Sequence, residues 1–168
     1  MHSLNHLRAT YRRLGTGELA AATAFSMAYL LVRDRFTAQD QIALGLAMVP
    51  LVLILVQAGA YWLLALRWVG VAAMPSPLAG IYAAFRWANP VVLAGSLGAL
   101  MWWASTPGVM VLGVGLWLFA VVEQVNYFVR RLAYPASRWL TLVARHRTPQ
   151  LMRDVRAGRG PDRAEAPR

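Results

Sequence analysis

The chain of 168 residues is 58% hydrophobic and 14% charged, yet 17 basic against 7 acidic side chains leave a net charge of +10. An ordinary soluble domain reaches about 45–50% apolar residues only with glycine included, and carries about 25% charged ones. A soluble nucleic-acid binder accounts for the charge and not for the apolar excess, whereas a membrane protein with basic cytoplasmic margins accounts for both. With no cysteine there is no disulfide framework, thiol redox pair or cysteine metal cluster.

In chain order, residues 1–13 read as a cytoplasmic segment carrying Arg8, Arg12 and Arg13. A first span is drawn over residues 14–32, because the apolar run after Glu18 is shorter than the roughly 20 residues that cross a bilayer. Glu18 then falls in its first turns. The second span, residues 42–66, is long enough to cross with tilt and stops at Arg67 and Trp68. Met74, Pro75, Ser76 and Pro77 break the chain, and residues 78–85 read as a short interfacial helix. The third span is placed over residues 88–104, with Pro90 in its first turn and Trp102 and Trp103 as interfacial anchors. After an uncharged turn through Pro107 and Gly108, a fourth span over residues 109–129 ends at Arg130 and Arg131. The apolar run nearest the N-terminus lacks the small-residue cleavage site of a secretory signal.

Every basic residue is arginine, and 15 of the 17 fall on the side of the two termini in this four-span drawing. That asymmetry predicts a multi-pass protein of the bacterial plasma membrane with N- and C-termini in the cytoplasm. Residues 132–156 form a basic amphipathic segment, divided by Pro149 into two short helices, and residues 157–168 have the composition of a disordered tail. Arg130, Arg131, Arg138, Arg145, Arg147, Arg153 and Arg156 are expected on an anionic lipid surface. Trp139 is the lone tryptophan of this segment, so a base-stacking platform is absent and no nucleic-acid partner is expected.

Ionisable and amide groups inside spans are costly and mark sites. Glu123, Asn126, Tyr127 and Arg130 share one stripe of the fourth span at 100° per residue, with Gln124 and Phe128 directed elsewhere. Gln57 on the second span lies at similar depth with Tyr61 a turn below, and Asn89 and Arg86 enter from the same side on the third. Glu123, Asn126, Tyr127, Gln57, Asn89 and Arg86 therefore form the candidate intramembrane cluster. Glu123 either couples to a proton or cation, or pairs with Arg86 or Arg130 to fix helix order. Small residues at Ala20, Ala24 and Ala28, at Ala94, Gly95, Gly98 and Ala99, and at Gly113 and Gly115 are read as helix contacts within the bundle, with a second copy as the alternative.

His2, His6 and His146 are not spaced as a metal site, and no phosphate-binding loop, paired aspartate or serine–histidine arrangement is present. The sequence thus predicts an all-α, four-span protein without enzymatic activity, metal or cofactor. It is expected to serve as a small structural or accessory subunit that contacts membrane lipid and another membrane protein or a second copy. A small transporter or channel using Glu123 is the alternative.

Overall fold

The computed structural model describes residues 2–129 and 148–160, with side chains from residue 4 onward. Among them the chain is all-helical: α1 (His2–Val32), α2 (Ala38–Ala65), α3 (Ser76–Trp103), α4 (Pro107–Gln124) and α5 (Gln150–Gly158). A 3-10 turn, Arg33–Arg35, joins α1 to α2, and a π-helical turn, Val125–Val129, continues α4. Two of these helices, α2 and α4 with its π-turn, are long and apolar enough to cross a membrane. Their share of burial differs: 56% of the apolar window of α2 is buried, against 22% of that of α4.

The centre of the bundle is α2, which packs against α1, α3 and α4. Its buried face runs through Ala43, Ala47, Leu51, Ile54, Ala58, Tyr61 and Ala65, the three- and four-residue spacing of one helical side. Against α1 the contact is backbone on backbone. A β-carbon placed at Gly59 would lie 3.1 Å from the Gly15 carbonyl oxygen, and one at Gly15 would lie 3.1 Å from the Gly59 carbonyl oxygen. Such an approach requires glycine on both helices. Between α1 and α4 the bridge is made by long side chains: Phe25 meets Phe119 edge-on at 5.6 Å, and the Tyr127 hydroxyl reaches Glu18.

At the far end from the N-terminus, Thr37 caps α2 by accepting the Asp40 N–H at 3.2 Å, and its hydroxyl donates to the Asp40 carboxylate at 2.9 Å. The same carboxylate accepts the Ser105 N–H at 2.9 Å and the Ser105 hydroxyl at 2.8 Å. One aspartate, 2% exposed, thereby ties the start of α2 to the turn between α3 and α4. The three hydrogen bonds that its carboxylate accepts satisfy the charge locally.

Three expectations are corrected here. The interfacial helix over residues 78–85 and the span over residues 88–104 are one continuous helix, α3, and Pro90 lies in its interior. Proline removes one N–H and crowds the carbonyl four residues back, but packing of the flanking turns against α2 and α4 holds the helix through it. The first helix starts at His2 and not near residue 14, so Glu18 is mid-helix. Thirdly, α5 does not present its apolar face to lipid. Leu151, Met152 and Val155 are 1%, 4% and 2% exposed and belong to the main core. Asp154 fastens the helix: it accepts the Tyr61 hydroxyl at 2.8 Å, the Trp68 indole N–H at 3.4 Å and the Gln150 amide at 2.7 Å. Gly158 lies against the Met74 carbonyl and the Ala79 methyl, where no side chain fits. Arg153 and Arg156 point outward, and Arg153 also bonds Gln150. Arg130, Arg131, Arg138, Arg145 and Arg147, the helix proposed before Pro149 and the end of the tail lie outside the described residues.

Candidate functional site

The polar residues expected to form one cluster form two, one between α2, α3 and α4 and one facing α1. The first is an amide triad. The Gln57 amide donates to the Asn89 carbonyl at 3.1 Å, while the Asn89 amide donates to Gln57 at 2.8 Å and to Gln124 at 2.9 Å. One residue from each of α2, α3 and α4 meets at a single level, all three 5% exposed or less. Tyr82 adds a hydrogen bond to the Gln57 backbone carbonyl at 3.0 Å. Each carbonyl of the triad accepts one bond, but the Gln124 amide nitrogen is left buried without an acceptor. Gln124, excluded from the expected cluster, is thus a member of its most buried part. It points away from Glu123 as expected; that direction is the bundle interior.

The second group faces α1. Tyr127 donates to the Glu18 carboxylate, Asn126 hydrogen-bonds Glu123, and the two carboxylates are electrostatic neighbours. The Trp62 indole N–H lies beside the Tyr127 hydroxyl without an acceptor of its own. The π-turn begins directly after Gln124, so the backbone widens where the polar residues of α4 cluster. Wide turns of this kind recur at functional sites. Arg86 belongs to neither group: its guanidinium lies 5.8 Å from the Trp87 ring on the outer surface of α3. Among the described residues Arg33–Asp34, remote from Glu123, is the ion pair present, so the pairing of Glu123 with Arg86 is not formed, and Arg130 lies outside the described residues.

Next to this group, a cavity of about 270 Å³ opens between the first half of α1, the end of α2, the π-turn and the start of α5. Tyr11, Trp62, Asn126, Tyr127 and Leu151 are among its walls. Among the described residues no group of three or more histidine or carboxylate side chains is arranged for a metal.

The small residues also divide. Gly113 meets Leu100 and Gly45 meets Tyr29, both within the bundle. By contrast Gly95, Gly98 and Gly115 have nothing near the position of a β-carbon, and Ala20, Ala24, Ala28 and Ala94 are exposed. The expectation that these pack inside the bundle is therefore corrected: they face outward. The chain matches no protein-family model, and comparison with curated proteins and with solved structures returned no match.

Proposed function

We propose that the protein is a four-span integral membrane protein with both termini in the cytoplasm, acting as an accessory subunit that docks through α3 onto a helix of another membrane protein or of a second copy. The observation that carries this reading is a stripe on α3: Gly80, Ala84, Trp87, Val91, Ala94, Gly98 and Met101, every one exposed. These follow each other at alternating spacings of four and three residues, the repeat that keeps one helix seam against another. Gly80 and Ala84 on one side and Ala94 and Gly98 on the other flank Trp87 and Val91, which are 74% and 71% exposed. Small-residue seams drive helix association in lipid, where apolar burial alone does not.

Membrane insertion is supported by the outer faces of α3 and α4, where Trp102 and Val111 are 79% and 74% exposed. A water-soluble bundle would leave apolar surface of this extent uncovered. Positive charge supports the orientation, since Arg8, Arg12, Arg13, Arg153 and Arg156 are exposed around the end formed by the start of α1 and by α5. Contact of that end with anionic lipid headgroups follows from the same charges.

The test uses the empty space above the stripe. Gly80→Ile and Gly98→Ile meet no neighbouring atom within 4 Å at the β-carbon, so the isolated protein is expected to keep its thermal midpoint. Native mass spectrometry after mild extraction should then show wild type bound to a second polypeptide chain and both variants without it. A wild type that is monomeric and alone, with variants indistinguishable from it, contradicts the docking role.

A second reading is favoured by the neighbouring carboxylates of Glu18 and Glu123, which have no basic partner among the described residues. In that reading the protein is a small transporter or channel and Glu123 is its coupling residue. Glu123→Gln then abolishes proton- or cation-coupled flux into proteoliposomes while the fold is retained.

A further inference from the structure

The cavity beside the π-turn has a composition that selects a ligand. Tyr11 and Trp62 stand edge-on with centroids 4.9 Å apart and form one wall with Tyr127; Leu14 and Leu151 supply apolar surface. The polar part of the wall is Thr10, Gln150, Asn126 and Tyr127, and the last two hydrogen-bond carboxylates behind them, Asn126 that of Glu123 and Tyr127 that of Glu18. Among the described residues no arginine lines the cavity, although the surrounding end of the protein is strongly basic. The site thus sets aromatic rings around a space of about 270 Å³, slightly below the roughly 300–1,000 Å³ that takes a drug-sized ligand, with two acidic groups one hydrogen bond behind its wall.

We propose that this cavity binds a small organic ammonium with an apolar body, either a free amine or the cationic headgroup of a lipid. Ring faces attract a desolvated cation. The two carboxylates add an attraction that a low-dielectric setting strengthens over its value in water. An anion is repelled by the same pair, and a neutral apolar molecule of equal shape gains only the walls. The proposal deepens the second reading by naming what the acidic group attracts, but it requires binding alone. Saturable binding without flux removes the transporter and leaves this site standing.

The experiment is calorimetric titration of the full-length protein in maltoside micelles with benzyltrimethylammonium, alongside its uncharged carbon isostere. One-to-one binding of the cation is expected, weaker by at least about tenfold for the isostere. The double variant Glu18→Gln, Glu123→Gln should lose about tenfold in affinity for the cation and little for the isostere. Repeating the titration in phosphatidylglycerol nanodiscs with and without phosphatidylethanolamine separates the sources: competition by that lipid assigns a headgroup, and its absence a free amine. The proposal is overturned if the isostere binds wild type as tightly as the cation does. That comparison needs no variant to fold. Unchanged cation affinity in a folded double variant overturns it equally.

Discussion

Gly15→Ala is expected to destabilise the protein by about 1–3 kcal/mol, and Gly17→Ala, two residues on in the same helix, to leave it unchanged or to stabilise it by up to about 1 kcal/mol. The opposite signs follow from where α1 crosses α2. A methyl group at Gly15 would stand 2.7 Å from Leu63 Cγ and 3.1 Å from the Gly59 carbonyl oxygen. Leu63 can change rotamer; the carbonyl cannot move without separating the helices. At Gly17 a methyl group meets nothing within 4 Å, so only the gain in helix propensity remains. Gly59→Ile places a branched side chain at the same crossing and is expected to abolish folding. Thermal unfolding in mild detergent measures all three, and equal effects at Gly15 and Gly17 would contradict the crossing.

Asn89→Ala is expected to lower stability by about 2–4 kcal/mol. Asn89 takes part in three hydrogen bonds that join α2, α3 and α4. Bonds between membrane helices average only about 0.6 kcal/mol in double-mutant cycles, which gives about 2 kcal/mol for three. The remainder comes from leaving the buried amides of Gln57 and Gln124 without partners. Ser96→Ala, by contrast, removes a hydroxyl that bonds the Leu93 carbonyl of its own helix at 2.9 Å, and a change within about 0.5 kcal/mol is expected. Replacing Gln57, Asn89 and Gln124 together by leucine removes donors and acceptors at once and should recover most of the loss. Such recovery would assign the triad a role in specifying helix order; failure to recover would mean that the space admits only amides. An Asn89→Ala protein as stable as wild type would falsify the claim that the triad holds the three helices.

Two kinds of residue divide what was legible in the sequence from what was not. The long apolar run of α2 and that of α4 stand out because no charge interrupts them between Asp40 and Arg67, or between Pro107 and Glu123. In α3 the Arg86–Trp87 pair and Pro90 imitate a membrane edge and a helix start. Only packing decides that the helix runs through them. An amphipathic helix such as α5 satisfies its apolar face equally against lipid or protein. The clue to protein was Asp154, an acid set among arginines and beside Leu151 and Val155, whose hydrogen bonds to Tyr61 and Trp68 become visible only in three dimensions.

The polar site shows the same limit. Angular projection from Glu123 correctly groups Asn126 and Tyr127 on one side, but projection cannot say which side of a helix faces the interior. Three amides at matched depth, Gln57, Asn89 and Gln124, were the available signal for the triad. Glu18 joins the second group because α1 extends back to His2 and carries it to the level of Tyr127. Asp40 was not among the expected site residues, although its spacing from Thr37 is that of a helix cap. Its bonds to Ser105 add a connection across 65 residues that no local pattern encodes.

The absence of native cysteine makes the topology directly measurable by single-cysteine labelling. Asp34→Cys lies in the turn between α1 and α2 and Gly108→Cys in the first turn of α4, at the same end of the bundle, and Ala73→Cys lies in the connection between α2 and α3; all three positions are exposed. In intact bacterial spheroplasts, a membrane-impermeant maleimide should label the cysteines at positions 34 and 108 and should reach position 73 only after permeabilisation. Labelling of position 73 in intact spheroplasts, or of position 34 without position 108, would contradict the four-span account.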